Sequence, residues 1–350
     1  MCGIDDGRVF LNLSLTSAEA LRDPASLVAR IEQAHRDASI DLIAGPSGYG
    51  LPLVAARDLT ATDLKLAFLA ADGESGGIGG LRTLVRALGR SSLPVVLTPG
   101  VIHLPSVPAH RKVNRVDMGT AEKVCAAAFA IHGLAQRHQC AESDVSFILL
   151  ELGGAFSAAV AVDRGRIVDG AGGSSGPLGM RAAGALDGEV AFLAGTITKR
   201  LLFEGGVATI AGNPDASIEA PGAAPSRRGD LAWDAYLESA AKAVAALAVA
   251  VPGVRDLIVS GRSARVPGIL TELGRRLTGV MSPLSIDVLT GPADGASEAA
   301  QGAAMIADGL SGGRFRSLVD GMGLREAGGT ALDHLYVITP AQARHRLGIV

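Results

Sequence analysis

The sequence predicts an α/β protein built from two related halves with a cleft between them. The 350 residues are enough for two domains that each bury a core. Each half opens with a strand, an acidic-glycine turn and a second strand, written CGIDDGRVFL at the start and AAVAVDRGRIV at 158–168. Alternating strand-like and helix-like segments follow in both halves. Together these observations indicate a duplicated fold.

The first half begins with two short strands around the turn Asp5-Asp6-Gly7, because glycine accepts the positive φ that such a turn requires. The segment 17–37 has the pattern of a helix that Pro24 interrupts. The remaining elements are a strand running into a glycine-rich loop at 41–50, an amphipathic helix at 80–92, and a strand with its exit at 93–104.

The second half follows a long helix pattern at 118–139, for which Thr120 is the predicted N-cap. Its elements are predicted as hairpin strands at 145–154, 156–165 and 166–173, helices at 187–203 and 230–249, a loop rich in Gly, Ala and Pro at 204–229, a strand, glycine turn and helix over 256–277, and a last helix at 296–310.

Composition and charge exclude several classes of protein. Apolar residues make up 48% and charged residues 19% of the chain, which is typical of compact proteins. The net charge of −3 gives no general attraction to nucleic acid or to an anionic membrane, and no apolar run is long enough to span one. The three cysteines form no CxxC pair and no zinc-type cluster, and the N-terminus lacks the profile of a signal peptide. We therefore expect a reduced, cytoplasmic protein that binds neither nucleic acid nor membrane.

Two segments of the second half resemble the acetate kinase, sugar kinase and actin superfamily. LELGGAFSAAVAVDRGRIVDG at 150–170 resembles its second phosphate-binding loop, and LIVSGRSARVPGILTEL at 257–273 resembles its adenosine element. EAAQGAAMIADGL at 298–310 resembles the helix that closes this lobe. The resemblance implies a duplicated actin-like ATPase (ribonuclease H-like) fold, with ATP and Mg²⁺ in the cleft between the lobes.

The resemblance also implies nucleotide-binding residues. Gly153 and Gly154 let backbone N–H groups approach phosphate oxygens, since no Cβ stands in the way. Ser157 adds a hydroxyl, and Gly261 is the position of close approach to the nucleoside. Glu151 is the predicted Mg²⁺ contact, although a strand-end carboxylate with a structural partner is an open alternative.

Three further segments resemble an uncharacterised family described as predicted butyrate kinases: GPSGYGLPL at 45–53, PSVPAHRKVNRVDMGTAEKVCAAA at 105–128 and GGSSGPLGMRAAGALDGEVAFLAG at 172–195. This resemblance implies phosphorylation of a small carboxylate, a homodimer, an N-terminal lobe over 1–117, a C-terminal nucleotide-binding lobe over 118–312 and a tail over 313–350 that packs back on the N-terminal lobe. Acetate kinases place a catalytic aspartate near the end of the strand where this chain has Thr98-Pro99-Gly100, and that departure weakens the acyl kinase hypothesis.

The predicted catalytic residues lie in one basic loop before the long helix. Arg111, Arg115 and Asp117 are the expected contacts to substrate or phosphoryl group, because the arginine fork binds carboxylate and phosphate oxygens in pairs. A helix N-terminus beside them also favours an anion. The alternative is a solvated basic turn in which Asp117 caps the helix.

The predicted substrate-binding residues lie in three loops. Ser47, Gly48 and Tyr49 follow a buried strand, where ligand groups often lie on α/β folds, and a structural turn is the alternative. Ser174 and Ser175 are expected in the cleft, unless their segment is a plain loop. His103 is a candidate proton carrier or phosphate contact, and a loop histidine with a satisfied hydrogen bond is the alternative.

The opening letters MCGIDDG allow a second kind of enzyme. Amidotransferases with an N-terminal cysteine nucleophile begin similarly, but the arginine and Asn-Gly elements that they need are absent downstream. We therefore interpret Cys2 as a strand residue and Asp5-Asp6-Gly7 as a turn. By the superfamily pattern, the hairpin then corresponds to strands two and three, and the first strand and first phosphate loop are missing. The chain is either a truncated kinase or a non-catalytic nucleotide-binding protein, unless GIDDG is itself a degenerate phosphate loop.

Overall fold

The computed structural model describes residues 1–15, 17–74, 79–213, 227–293 and 295–349. The first half contains β1 (Cys2–Asp5), β2 (Arg8–Asn12), α1 (Ser17–Arg22), α2 (Pro24–Ala38), β3 (Ile43–Gly45), β4 (Val54–Ala55), α3 (Ala61–Phe68), α4 (Gly79–Arg90), β5 (Val95–Leu97), α5 (Ala109–Lys112) and α6 (Ala121–His138). The second half contains β6 (Phe147–Leu152), β7 (Ser157–Asp163), β8 (Arg166–Ala171), α7 (Gly188–Ala194), α8 (Val207–Ile210), α9 (Arg227–Ala248), β9 (Asp256–Ser260), α10 (Ile269–Leu277), β10 (Ser285–Val288), α11 (Glu298–Leu310), α12 (Arg316–Met322) and α13 (Pro340–Arg346).

Most predicted strands and helices are confirmed. Asp6 and Gly7, both with positive φ, form the turn between β1 and β2, as the acidic-glycine pattern predicted. Cys2 lies in β1, so its interpretation as a strand residue is also confirmed. Pro24 begins α2, and the Asp23 side chain caps that helix by accepting a hydrogen bond from the Ser26 N–H at 3.0 Å.

The predicted helix at 187–203 is wrong beyond its first two turns. α7 ends at Ala194 because Gly195 adopts a φ of 71°, which breaks the helical path. Within the predicted loop at 204–229, α8 forms a single helical turn, and residues 214–226 lie outside the described residues. The sequence pattern does not predict β4, α3, α5, β10, α12 or α13, because each is too short for a clear periodic pattern. α5 places Arg111 in a single helical turn instead of the predicted basic loop.

The sheet of the second half has five strands in the order β10-β9-β6-β7-β8. β10, β9 and β6 run parallel, whereas β7 and β8 continue as an antiparallel meander. Because the central strand β6 has helices on both sides, its side chains are apolar on both faces. Phe147 and Leu149 pack in the core beneath α6, and Ile148 and Leu150 pack in the core beneath α9.

The first half contains two separate sheets among the described residues. β3, β5 and β4 form one in that order, and β1 and β2 form a two-stranded hairpin. The core around the three-stranded sheet takes side chains from α2, α3 and α4. It also includes Leu332, Ala343 and Leu347, so the C-terminal residues return to this half of the molecule.

The long helices α6 and α11 cross between the halves at a glycine. A Cβ atom on Gly302 of α11 would lie 1.8 Å from the carbonyl oxygen of Cys125 in α6. This contact is to backbone, so a side chain there would force the helices apart. Small residues therefore set the spacing of this central pair.

We expect Gly302→Ala to destabilise the protein although alanine is the better helix former. The higher helix propensity of alanine stabilises the helix by about 1 kcal/mol, whereas extra atoms in a packed helix–helix contact typically cost about 1–3 kcal/mol. Here the added Cβ would also lie unusually close to the Cys125 carbonyl oxygen. Gly133 in α6 has no atom within 4 Å of an added Cβ, so Gly133→Ala is a matched control that should be neutral or stabilising. Urea unfolding of both variants measures the difference. Equal stability of the two variants would contradict this packing account.

Candidate functional site

The two predicted nucleotide segments meet at one edge of the second sheet. β6 and β9 are parallel neighbours, so the residues that follow them lie side by side. A Cβ atom on Gly261, whose φ is +87°, would lie 2.4 Å from the Leu152 carbonyl oxygen and 3.1 Å from the Gly153 nitrogen. Only glycine permits this approach of two strand ends. Gly153, Gly154 and Gly261 therefore line the same carboxyl edge, where ligands commonly bind in α/β sheets.

The turn that follows β6 is compact. The Gly153 N–H donates to the Phe156 carbonyl oxygen at 3.1 Å, and a Cβ on Gly153 would lie 2.6 Å from the same oxygen. Ser157, at the start of β7, is fully buried. Burial raises the pKa of Tyr236 in α9, and the nearby hydroxyls of Ser263 and Ser157 partly offset the rise. The structure thus places the Ser157 hydroxyl in the core beneath α9.

Glu151 lies opposite a lysine that the sequence analysis missed. Its Oε1 accepts a hydrogen bond from Nζ of Lys123, in the first turn of α6, at 2.8 Å. The two side chains are only 16% and 11% exposed, and Glu122 lies 3.2 Å from the same ammonium group. Burial raises the pKa of Glu151, which the Lys123 charge partly counteracts. Burial also acts to lower the pKa of Lys123, but the charges of Glu122 and Glu151 outweigh it and raise that pKa.

This ion pair bears on the predicted Mg²⁺ contact. The ammonium group of Lys123 already neutralises Glu151, and the described residues contain no group of three or more acidic, His or Cys side chains that could hold a metal. Direct ligation of Mg²⁺ by Glu151 therefore does not fit this geometry. A signal for Lys123 was present in the sequence, since lysines are scarce and this one begins a helix that faces a strand end.

Asp117 joins the two halves through a buried hydrogen-bond hub. Its carboxylate accepts from the Gly119 N–H at 3.2 Å and from both the N–H and the hydroxyl of Ser174 at 2.9 Å. Its carbonyl oxygen accepts from the Gly172 N–H at 3.1 Å and from the Ser175 hydroxyl. Asp117 is 6% exposed, whereas its partners Ser174 and Ser175 are half-buried. The carboxylate thus orders the loop after β8, where the sequence predicted substrate contacts.

The two predicted catalytic arginines reach from the first half to β8 and its exit loop. Arg115 Nη1 lies 3.3 Å from the Ser175 hydroxyl oxygen and 3.4 Å from its carbonyl oxygen. Arg111 Nη1 donates to the Val168 carbonyl oxygen at 2.8 Å, and its Nε lies 3.8 Å from Asp169. Arg115 is therefore grouped with Asp117 and the serine loop, whereas Arg111 is engaged with the edge strand.

The loop after β3 packs against the same cluster through Tyr49. Burial, followed by the nearby charge of Asp117, raises the pKa of Tyr49 to about 12, and the Ser174 hydroxyl acts against that rise. Ser47 is fully buried and donates to the Thr98 carbonyl oxygen, and Gly48 adopts a φ of +66° against the Ala67 carbonyl. Ser47 and Gly48 thus shape the turn that presents Tyr49.

His103 packs against Gly50 of the same loop, but its hydrogen bonds go to the C-terminal segment. It is 2% exposed, its Nδ1 is 3.2 Å from the Gly329 carbonyl oxygen, and its own carbonyl accepts from the Gly328 N–H at 2.9 Å. Burial lowers its pKa, which favours the neutral imidazole. The structure therefore connects His103 to the C-terminal segment.

A second lysine, Lys199, was also missed by the sequence analysis. Its Nζ lies 5.1 Å from the centroid of the Tyr49 ring, a cation–π distance. Burial lowers its pKa, and the charges of Glu74 and Asp117 act in the opposite direction. Lys199 and Tyr49 line a cavity of about 240 Å³ together with Phe68, Glu74 and Arg86. Lys199 lies within the segment wrongly predicted as one continuous helix, so its position could not be anticipated.

The environment of Cys2 does not favour a nucleophile. The side chain is partly buried in β1, and burial raises the pKa of its thiol more than the neighbouring terminal amine lowers it. A reactive cysteine needs the opposite shift, because the thiolate is the attacking form.

Comparison with protein families gives one assignment. A family described as "Protein of unknown function (DUF1464)" has a model that matches residues 1–337. The chain belongs to this family. A search of curated proteins finds no match for this DUF1464 protein.

Solved structures show a likeness to acyl kinases. A propionate kinase from Francisella tularensis subsp. tularensis SCHU S4 is 15% identical with a TM-score of 0.59, and the match covers 80% of this chain and 83% of that chain. The acetate kinase from Entamoeba histolytica is 13% identical with a TM-score of 0.52, over 73% and 74% of the two chains. The acetate kinase from Porphyromonas gingivalis is 15% identical with a TM-score of 0.50, over 80% and 83%.

At these identities the likeness shows the fold alone. The predicted duplicated actin-like ATPase (ribonuclease H-like) fold, shared with acetate and propionate kinases, is confirmed for the DUF1464 protein. Within the part of the chain that the structure describes, no helix combines the length and the apolar character needed to cross a bilayer.

We expect Asp117→Asn to destabilise the protein by about 1–3 kcal/mol. The amide would turn an NH₂ group toward donors that now bind a carboxylate, which leaves a buried donor unpaired. Asp187→Asn is the matched control, since Asp187 also accepts two backbone N–H bonds but caps the exposed start of α7, where asparagine caps equally well. Denaturant unfolding should show a loss only for Asp117→Asn. A similar effect of both substitutions would contradict the hub.

We expect Lys123→Met to make stability depend more steeply on pH than in the unchanged protein. Burial raises the pKa of Glu151, and without the ammonium group nothing at this contact counteracts the rise. In the folded variant, Glu151 keeps its proton above pH 4.5, the ordinary pKa at which the same side chain loses it in the unfolded chain. The free energy of unfolding therefore falls as the pH rises through and above that value. Melting temperatures measured from pH 4 to pH 8 test this. Adding Glu151→Gln should flatten the profile, and an unchanged slope in the double variant would refute the assignment.

Proposed function

We propose that the protein is a kinase that transfers the γ-phosphoryl group of ATP to a small carboxylate, in the manner of a butyrate kinase. The fold is that of propionate and acetate kinases, which supports a phosphotransferase of this class. The observation that carries the proposal is the contact of Gly261 with the Leu152–Gly153 backbone. It joins both predicted nucleotide segments at one sheet edge that faces the first half.

The donor side of the proposed site is built from backbone. Backbone fills the space beside Gly153 and Gly261, and the Gly153 N–H is bound to the Phe156 carbonyl oxygen, so Gly154 is the glycine proposed to approach the phosphate oxygens. The ATP phosphates would supply the oxygen ligands for Mg²⁺, since the described residues form no group of three or more acidic, His or Cys side chains around Glu151. Lys123 at the start of α6 lies near this edge, but Glu151 and Glu122 already pair with its ammonium group, so the charge neutralisation that phosphoryl transfer requires must come with the nucleotide's own cation.

The acceptor side is the 240 Å³ cavity beside Tyr49. Lys199 and Arg86 line it together with the carboxylates of Asp72 and Glu74, of which Asp72 is paired with Lys65 and Arg82 and Glu74 with Arg346. Two such cations attract a carboxylate, and Phe68 offers apolar surface for a short acyl chain. Asp117, Ser174 and Arg115 then position the loop between the acceptor and the nucleotide edge. In the reaction, a carboxylate oxygen bonds to the γ-phosphorus as the bond to the β-phosphate oxygen breaks and ADP leaves.

The test is an acid screen with ATP and Mg²⁺, in which ADP is measured and the acyl phosphate is trapped with hydroxylamine. We expect turnover with acetate, propionate or butyrate. Lys199→Met should raise KM for the acid about tenfold or more with a smaller effect on KM for ATP, because it removes a charged contact to the acceptor. Lys242→Met is the matched control, since Lys242 pairs with Glu238 on the surface of α9.

A screen in which no acid is phosphorylated would overturn the carboxylate kinase, and turnover with alcohols or sugars alone would reassign the acceptor. The alternative function is a non-catalytic nucleotide-binding protein on the same fold. The neutralised Glu151 and the absence of an acidic residue at Thr98-Pro99-Gly100 favour it. Calorimetric binding of ATP without ADP formation would support this alternative.

A further inference from the structure

Three buried hydroxyl groups lie beneath the carboxyl edge of the second sheet, where the turns after β6 and β9 touch. Ser157 begins β7 directly after the turn 153–156, and Ser263 lies in the short helical turn that follows Gly261. The third hydroxyl belongs to Tyr236 of α9. All three residues are 0% exposed, and none of their hydroxyl oxygens has a hydrogen-bond partner among the residues that the structure describes. We name these three side chains the hydroxyl cluster.

The members of the hydroxyl cluster face one another on the α9 side of the sheet. Ser157 pairs directly with Leu152 of β6, and directly paired residues of neighbouring strands point to the same face. Leu152 packs in the same core as Tyr236. Burial raises the pKa of Tyr236, and the hydroxyls of Ser263 and Ser157 are near enough to act against that rise. The three oxygen atoms therefore surround one small space.

A fourth buried hydroxyl lies on the opposite side of the sheet. Ser260 also has no hydrogen-bond partner within the described part of the chain. It is in register with Glu151, whose carboxylate faces Lys123 of α6. The hydroxyl cluster is therefore separated by the sheet from the Lys123–Glu151 ion pair.

The chemistry of the hydroxyl cluster indicates what it binds. A hydroxyl that is buried without a partner is costly, because it has lost its hydrogen bonds to solvent and gained none in the protein. Each hydroxyl can both donate and accept, so a small molecule that does the same satisfies all three. A buried water molecule typically makes about three hydrogen bonds, which matches the three oxygens here. An apolar molecule would leave every one of them unpaired.

We propose that the hydroxyl cluster binds one ordered water molecule, which links Ser157, Ser263 and Tyr236 by hydrogen bonds. The water ties the turn after β6 and the turn after β9 to the same helix, α9. It thereby supports from below the contact between Gly261 and the Leu152–Gly153 backbone. The inference rests on burial and hydrogen bonding, and it holds whether or not the protein transfers a phosphoryl group.

The first test is a crystal structure of the full chain at a resolution that shows ordered water. We expect one density peak within hydrogen-bond distance, about 2.7–3.2 Å, of all three hydroxyl oxygens. Direct hydroxyl–hydroxyl hydrogen bonds without such a peak would overturn the proposal.

The second test measures hydrogen–deuterium exchange in Tyr236→Phe, which removes one partner of the water and adds no volume. Exchange should become about tenfold faster in both 153–157 and 261–265, while α2 in the first half keeps its rate, because both turns lose a link to α9. Tyr336→Phe is the matched control, since Tyr336 is 72% exposed, and it should change neither turn. Faster exchange in only one of the turns, or in neither, would contradict a shared water.

The third test compares Tyr236→Phe, Ser157→Ala and Ser263→Ala singly and combined. Each single variant leaves the other two hydroxyls with an incompletely bonded water, whereas the combined variant leaves no buried hydroxyl in the cluster. We therefore expect the combined variant to lose much less in melting temperature than the sum of the three single losses. A loss equal to that sum would show that the hydroxyls act independently, and it would overturn the proposal.

Discussion

The buried carboxylate of Asp117 is the interaction on which the candidate site depends. It belongs to the first half, yet most of its hydrogen bonds hold the loop that follows β8 in the second half. A charged acceptor shielded from water makes strong bonds to backbone N–H groups, and it is costly to leave unpaired. Because Gly172 has no side chain, that loop can lie directly against the carboxylate. The relative placement of Tyr49, Ser174 and Arg115 follows from this hub.

Charge in the cleft is arranged in pairs that are largely removed from water. Lys123 and Glu151 neutralise each other at the end of β6, whereas Lys199 lies over the Tyr49 ring and its pKa is lowered by burial. A buried pair contributes little net stability, since desolvation offsets much of the attraction. Its effect is positional, because it ties the first turn of α6 to the end of β6. Lys199 lies beside the cavity proposed for the acceptor, and the charges of Glu74 and Asp117 act on it there.

Much of the fold was predictable because its signals are local. The turn at Asp6-Gly7, the break at Pro24 and the apolar run of β6 each depend on a few neighbouring residues. The candidate site was predictable only in part. Asp117, Ser174 and Tyr49 were identified individually, but their mutual contacts join positions far apart in the chain. Lys123 and Lys199 were missed because their partners become neighbours only after the two halves pack.

The sequence by itself determined the class of fold, because hairpin turns, helix periodicity and glycine positions are encoded in neighbouring residues. It also determined that residues 153 and 261 are glycines. It did not determine that the backbones at these two positions pack against each other. Tertiary structure alone decided which predicted residues share a site: Ser157 and His103 turned into the interior, and Arg111 bound an edge strand. The physical reason is that burial and hydrogen bonding depend on what packs opposite a residue, and that partner lies in a distant segment.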